Sequence, residues 1–266
     1  MSDSSPTLTA HGPPRTVDLN CDIGESFGAW RMGADAEVMP WITSANIACG
    51  FHAGDFSTMQ RTVVLAIKYG VAIGAHVSLP DLQGFGRREM RVSANEAYAM
   101  TLYQIGALAA FATAAGTRVV HVKPHGALYN MAAKDAALSE AIARAVRDFD
   151  ENLILVGLAG SALPAAGAAI GLPVAHEAFA DRRYQADGSL TPRSEADAVI
   201  NDIDAAVGQA LQIVTYGNVI TRGGGAVALR ADTICVHGDR PDAGGFARRL
   251  REALAKSAAV VQRIGG

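Results

Sequence analysis

Short apolar and β-branched runs recur along the chain, each followed by a polar, glycine-bearing cluster and then by a segment whose apolar positions have helical spacing. Such alternation marks βα units that feed a parallel sheet. It predicts seven strands, at residues 16–20, 44–48, 71–76, 119–123, 153–157, 174–178 and 233–236. Ser93 and Glu96 form an S-x-x-E capping box for a long helix that Gly116 should end. Asp55 caps another, in which Phe56, Met59, Val63 and Ile67 share a face predicted to be buried, with Gly70 as the stop. Leu138, Ile142, Val146 and Phe149 repeat this spacing, as do Phe246, Leu250 and Leu254. Residues 218–230, with three glycines at 223–225, read instead as a hairpin or loop.

The helices are interleaved evenly and the polar clusters follow the strands, so closure into an α/β (β/α) barrel of seven strands is the expected fold, with an open doubly wound sheet as the alternative. The 266 residues suit one barrel, which typically needs roughly 250. No linker divides them, so residues 16–266 are expected to form a single domain behind a disordered polar tail at 1–15. No apolar run reaches the ~18 residues of a membrane span, and the tail lacks the apolar core of a secretion signal. A cytoplasmic protein is therefore expected. Half the residues are apolar and the net charge is −3, with both signs interspersed, which argues against nucleic acid or a membrane surface as partner and for a small polar ligand. Cys21, Cys49 and Cys235 form neither an even framework nor a C-x-x-C pair, so they read as reduced, buried side chains.

Chemistry gathers at the predicted strand ends: Asp18, Asn20, Asp22 and Glu25; Asn46, His52 and Asp55; His76 and Asp81; His121, Lys123 and His125; Glu177, Asp181, Arg182 and Arg183; His237 and Asp239. A lone histidine there is a packing residue as readily as a functional one. Five of the chain's seven, with several carboxylates on converging strands, point to a functional cleft, because charged groups are rarely buried unpaired. Glycines such as Gly74 and Gly86 beside them mark close backbone approach. Asp22 or Asp18, with His52, His76 and His125, offers the mixed oxygen and nitrogen donors that a divalent metal accepts, although no H-E-x-x-H motif fixes such a site.

The strings DLNCDIGESFG, SANIACGFHAGD, GAHVSLPDLQGFGRR, HVKPHGALYN, EAFADRRYQADGSLTPR and TICVHGD, in this order from Val17 to Asp239, resemble the successive motifs of the LamB/YcsF family. Val77 and Leu79 depart from the resemblance, standing where many members carry proline and an aromatic residue, which bears on the pocket wall or the rigidity of its loop. The resemblance implies a deacetylase-like barrel and the A component of the prokaryotic 5-oxoprolinase. That enzyme opens the lactam of 5-oxo-L-proline to L-glutamate with ATP, and Mg2+, as co-substrate, together with subunits B and C.

Opening a resonance-stabilised lactam needs a base for water, donors for charge developing on oxygen, and an anchor for the substrate carboxylate. Asp22 or Asp18, with His52 as rival, are candidates for the base; Lys123, flanked by His125 and the amides near Gly126, for charge stabilisation; Arg87 and Arg88, or Arg182 and Arg183, for the carboxylate or a phosphate. Asn20, Asn46, His76, Glu177, His237 and Asp239 complete the expected binding surface. No phosphate-binding loop motif locates ATP; Arg222 with the glycines at 223–225 is the weak candidate. Two other functions fit the same residues: a stand-alone metal-dependent deacetylase or amidohydrolase, and a non-catalytic small-molecule-binding regulatory module.

Overall fold

The computed structural model describes residues 15–238, 242–257 and 259–266. The predicted tail, apart from Arg15, and Asp239 lie outside the described residues. Each predicted strand is present: β1 (Thr16–Ile23), β2 (Ser44–Ala48), β3 (Ala72–Val77), β4 (His121–Pro124), β5 (Ile154–Leu158) and β6 (Val174–Phe179). A short hairpin, β7 (Asn218–Ile220) with β8 (Ala226–Ala228), precedes β9 (Thr233–Val236), and β10 (Val260–Val261) adds to the start of β1. Strands β1 to β6 pair in order and in parallel, and β9 pairs with both β6 and β1. That last pairing closes a seven-stranded barrel and excludes the open sheet.

Helices α1 (Asp35–Val38), α2 (Phe56–Tyr69), α3 (Ala94–Ala114), α4 (Gly126–Ala132), α5 (Ala136–Phe149), α6 (Ala162–Ala169), α7 (Ile203–Tyr216) and α8 (Ala243–Lys256) connect the strands. Their ends are set by local chemistry. Asp55 accepts from the backbone N–H groups of Ser57 and Thr58 at the start of α2, and left-handed Gly70 ends it. The Ser93–Glu96 capping box opens α3. The buried stripe of α2 differs from expectation: it runs through Thr58, Met59, Thr62, Val63 and Ala66, while Phe56 and Ile67 are exposed. Phe149, at the last turn of α5, is also largely exposed, whereas Leu138, Ile142 and Val146 are buried. In both helices the apolar spacing was right and its ends fell on the rim of the stripe.

The interior of this barrel is polar. Along β1, Val17, Leu19, Cys21 and Ile23 alternate with Asp18, Asn20 and Asp22, and the second set reaches across the barrel. Asp18 accepts from the hydroxyls of Thr43 (2.7 Å), Ser44 (2.6 Å) and Thr233 (2.5 Å) and from the Ile264 amide (3.2 Å). Above it, Asn20 donates to Thr233 (2.6 Å) and accepts from Asn46 (2.7 Å), whose carbonyl oxygen meets His121 Nε2 (2.8 Å). The His121 ring fits because its neighbour on β3 is Gly74, where any Cβ would collide with it. Burial pushes His121 down to about 3, so the ring is neutral in this layer.

Asp18, a candidate base, sits as a plug beneath the site: burial raises its pKa, opposed by the hydroxyls that surround it, and it does not line the cleft described below. Asn20 and Asn46 likewise belong to the layer below the cleft and do not line it. Asp18→Asn, which removes one charged acceptor from three hydroxyl donors, is expected to cost about 2–4 kcal/mol in chemical denaturation while leaving ligand affinity of the cleft within about twofold.

Candidate active site

The carboxyl ends of the strands open into a cleft of about 760 Å³. Its floor is a buried ion cluster. Lys123 on β4 donates to Asp22 Oδ1 (3.0 Å) and Asn20 Oδ1 (3.2 Å), contacts Cys235 Sγ (3.2 Å), and lies 2.7 Å from Glu177 Oε1. Burial opposes the lysine charge, but the carboxylates of Asp22 and Glu177 outweigh it and hold Lys123 well above its usual pKa. Burial also opposes the Asp22 charge, and His76 and Lys123 outweigh it, holding that carboxyl well below its usual range. Asp22 further accepts from Asn46 (2.9 Å) and lies 3.2 Å from His76 Nε2. Cys235, pushed up by burial, remains a thiol, and all three cysteines are free and buried.

Beside this cluster stand three imidazoles and Glu25. His76 Nδ1 is 2.9 Å from the Lys123 carbonyl, and His125 Nε2 is 2.9 Å from the Phe85 carbonyl. Carbonyls only accept, so these nitrogens carry protons; burial holds His125 well below its usual pKa, so its Nδ1 presents a lone pair to His76 Nε2. Those two atoms are 3.0 Å apart, a separation that calls for a shared proton or a cation. His52 stacks on His125 with ring centroids 3.8 Å apart, and its Nε2 is 3.2 Å from Glu25 Oε1. Donor atoms of Glu25, His52, His76 and His125 all lie within 4.8 Å of one another, so the donor set fits a divalent transition ion. The carboxylate of this group is Glu25, whereas the sequence pointed to Asp22, which Lys123 holds.

Phe85 is the one non-glycine residue with positive φ (54°) among the described residues. That backbone costs about 1–2 kcal/mol and turns the Phe85 carbonyl onto His125, while its ring packs edge-on against His52 (5.4 Å) and His125 (5.2 Å). Gly86 follows at φ 62°, where a side chain would strike Ser78, His125 and His52.

Of the nominated residues, Asp22, His76, Arg87, Lys123, His125, Arg182 and His237 line the cleft, with His52 and Glu177 directly behind them. Arg88 does not: it forks onto Asp81, which also ties Asp81 to the loop rather than to the site. Arg183 is exposed. Arg182 is buried and donates to the carbonyls of Thr191 (2.6 Å) and Ala198 (3.3 Å), so it braces the loop after β6. Arg222 pairs with Glu195 and Asp197 on the surface, and residues 222–225 do not line the cleft. Val77 and Leu79 are fully buried and do not line it either. Sequence reasoning missed Phe85 and Arg193; the string GFGRR marked the turn around Phe85, but nothing local gave its φ.

In metal-free protein, nitrogen NMR of the imidazoles is expected to show His76 protonated on Nδ1 and His125 on Nε2. A proton on Nδ1 of His125 would remove the lone pair that faces His76.

The sequence model of the LamB/YcsF family matches residues 17–265. A protein of Bordetella parapertussis, named as the A component of 5-oxoprolinase, is 61% identical over 246 residues, spanning 92% of this chain and 98% of its own length. Its namesake from Methylococcus capsulatus is 60% identical over 252 residues, spanning 95% and 97%. The crystal structure of a lactam utilization protein from Thermus thermophilus superposes with a TM-score of 0.89 at 48% identity, covering 94% of this chain and all of that one. Matched along almost its whole barrel, this chain belongs to the LamB/YcsF family.

Proposed function

We propose that this chain is the A component of a 5-oxoprolinase and supplies the cleft in which the lactam of 5-oxo-L-proline is opened to L-glutamate, with ATP and Mg2+ as co-substrate and with B and C subunits as partners in the cytoplasm. The observation that carries this reading is the roughly 60% identity, along nearly the full length of both chains, to relatives named as that component of 5-oxoprolinase. The site supports it chemically. Water adds to the lactam carbonyl carbon, the C–N bond breaks, and the ring nitrogen leaves as the amine after taking a proton. ATP drives the addition by phosphorylating the lactam oxygen as ADP leaves, so C–N cleavage yields a γ-acyl phosphate that a second water hydrolyses to L-glutamate and phosphate.

Each requirement has a residue. Asp22, kept ionised by His76 and Lys123, accepts a hydrogen bond from the attacking water and orients it. The lone-pair side of the His76–His125 pair takes the proton and returns it to the leaving nitrogen. Lys123 holds the local charge balance and offsets charge developing on oxygen. ATP-dependent release of glutamate from 5-oxoproline is expected only when this chain is combined with its partner subunits. Lys123→Met is expected to lower turnover of that assembly about 100-fold or more, read per folded protein because the orphaned carboxylates also destabilise the fold. Full activity in this variant would remove the charge-balancing role.

The facing nitrogens of His76 and His125 favour a second reading, a metal-dependent amidohydrolase acting without partners. Glu25, His52, His76 and His125 would hold the ion, which would supply Lewis-acid activation of water or of the carbonyl oxygen. Here Asp22 and Lys123 keep the same duties toward water and oxygen. Elemental analysis after dialysis against Zn2+ or Mn2+ is expected to find one ion per chain, with affinity lowered about 10- to 100-fold by Glu25→Gln or His125→Asn. No stoichiometric ion, together with chelator-resistant turnover in the full assembly, would eliminate the metal reading.

A further inference from the structure

Arg193 reaches the cleft by a built route. It follows the turn after β6, in which Tyr184 bridges Leu190 and the Thr191 amide donates to the Arg183 carbonyl (2.9 Å), and the buried Arg182 clamps Thr191 from below. Its guanidinium then donates to His237 Nε2 at 2.7 Å, and His237 Nδ1 lies 2.7 Å from Asp181 Oδ1. A guanidinium has no acceptor atom, so His237 Nε2 must accept and His237 Nδ1–H must donate to the carboxylate. Asp181 is 1% exposed and His237 8%, and the His237 ring stacks on Phe179 at 5.6 Å. A buried Asp–His pair with one permitted tautomer thus orients a single arginine at the wall of the cleft.

The field around that arginine favours an anion. Among the described residues, and apart from the floor cluster and Glu25 beside it, the charged residues lining the cleft are Arg87, Lys134, Arg182 and Arg193 against Glu89 and Asp187. The chain as a whole carries −3, so this cationic wall is local to the site. Burial and the charge of Arg193 push Arg182 down to about 10. Asp22 and Glu25 also line the cleft, and their charge disfavours a polyanion over a monoanionic group.

We propose that Arg193 is the carboxylate-binding residue of the cleft, and that Asp181 and His237 are positioning residues that hold its guanidinium toward the substrate. The subsite selects ring substrates bearing a carboxylate over uncharged ones, through the planar fork that matches a carboxylate. The identity of that substrate rests on the lactam-opening reading; the subsite itself rests on the geometry.

The test compares 5-oxo-L-proline with its uncharged amide, 5-oxo-L-prolinamide, as substrates of the full assembly, and measures L-glutamate binding to the isolated chain by calorimetry. Arg193→Ala is expected to raise KM for the acid about 10- to 100-fold and to erase the preference for acid over amide, with Arg193→Lys recovering part of it. Asp181→Asn is expected to shift the same preference, and the Arg193→Ala/Asp181→Asn double variant to be no worse than Arg193→Ala alone, which a merely structural Asp181 would not produce. Equal use of acid and amide by the unaltered assembly, or a preference that survives in folded Arg193→Ala, overturns the subsite and leaves the lactam reading intact. Absence of 5-oxoproline turnover alongside Arg193-dependent glutamate binding overturns the lactam reading and upholds the subsite. Absence of both overturns the subsite as well.

Discussion

A lysine buried to 2% exposure inside a barrel is the constraint on which the rest of this structure turns. An ammonium removed from water is tolerated only beside compensating charge and hydrogen bonds. Lys123 has them in Asp22 and Asn20 from β1 and Glu177 from β6. Those partners determine what lies beneath: Asn20 must be held by Asn46 and Thr233, Asn46 in turn engages His121, and Thr233 leads to Asp18 at the base. The polar interior is one connected network whose upper face is the floor of the cleft.

The same residue links stability to chemistry. Its backbone carbonyl receives Nδ1–H of His76, so β4 presents the ammonium on one side and fixes an imidazole tautomer on the other. Phe85 does the equivalent for His125 from a strained, left-handed backbone. Strain of this kind persists only where surrounding contacts over-determine it; here the Phe85 ring is wedged against two of the histidines it orders. The result is a pair of facing imidazole nitrogens beside an ionised carboxylate, an arrangement suited to moving a proton or holding a cation. A simple binding module would have little use for it.

Much of the fold was legible in the chain. Alternation of apolar and polar positions located all seven barrel strands, and Asp55, Ser93 with Glu96, and Gly70 marked helix ends because capping is chemistry between residues two to four apart. The hairpin at 218–230 was legible for the same reason. The outer edges of helix faces were not, since whether Phe56 or Phe149 is covered depends on what packs beside the helix. The family motifs collected the residues around the cleft but could not rank them. Asp18 and Asp22 sit four residues apart on one strand with identical chemistry, and only depth in the barrel separates a structural plug from a site residue.

By itself, then, the sequence determined the βα order, the seven strands, their caps, and the set of polar side chains at the strand ends, because each of these follows from local periodicity or from neighbours in the chain. Only the tertiary structure decided which of those side chains meet. The Lys123–Glu177 pair, the facing nitrogens of His76 and His125, and the Asp181–His237–Arg193 relay join residues 54, 49 and up to 56 positions apart. Their protonation states and roles arise from distances set by barrel closure, and a carboxylate or imidazole carries no record of those distances in its own stretch of chain.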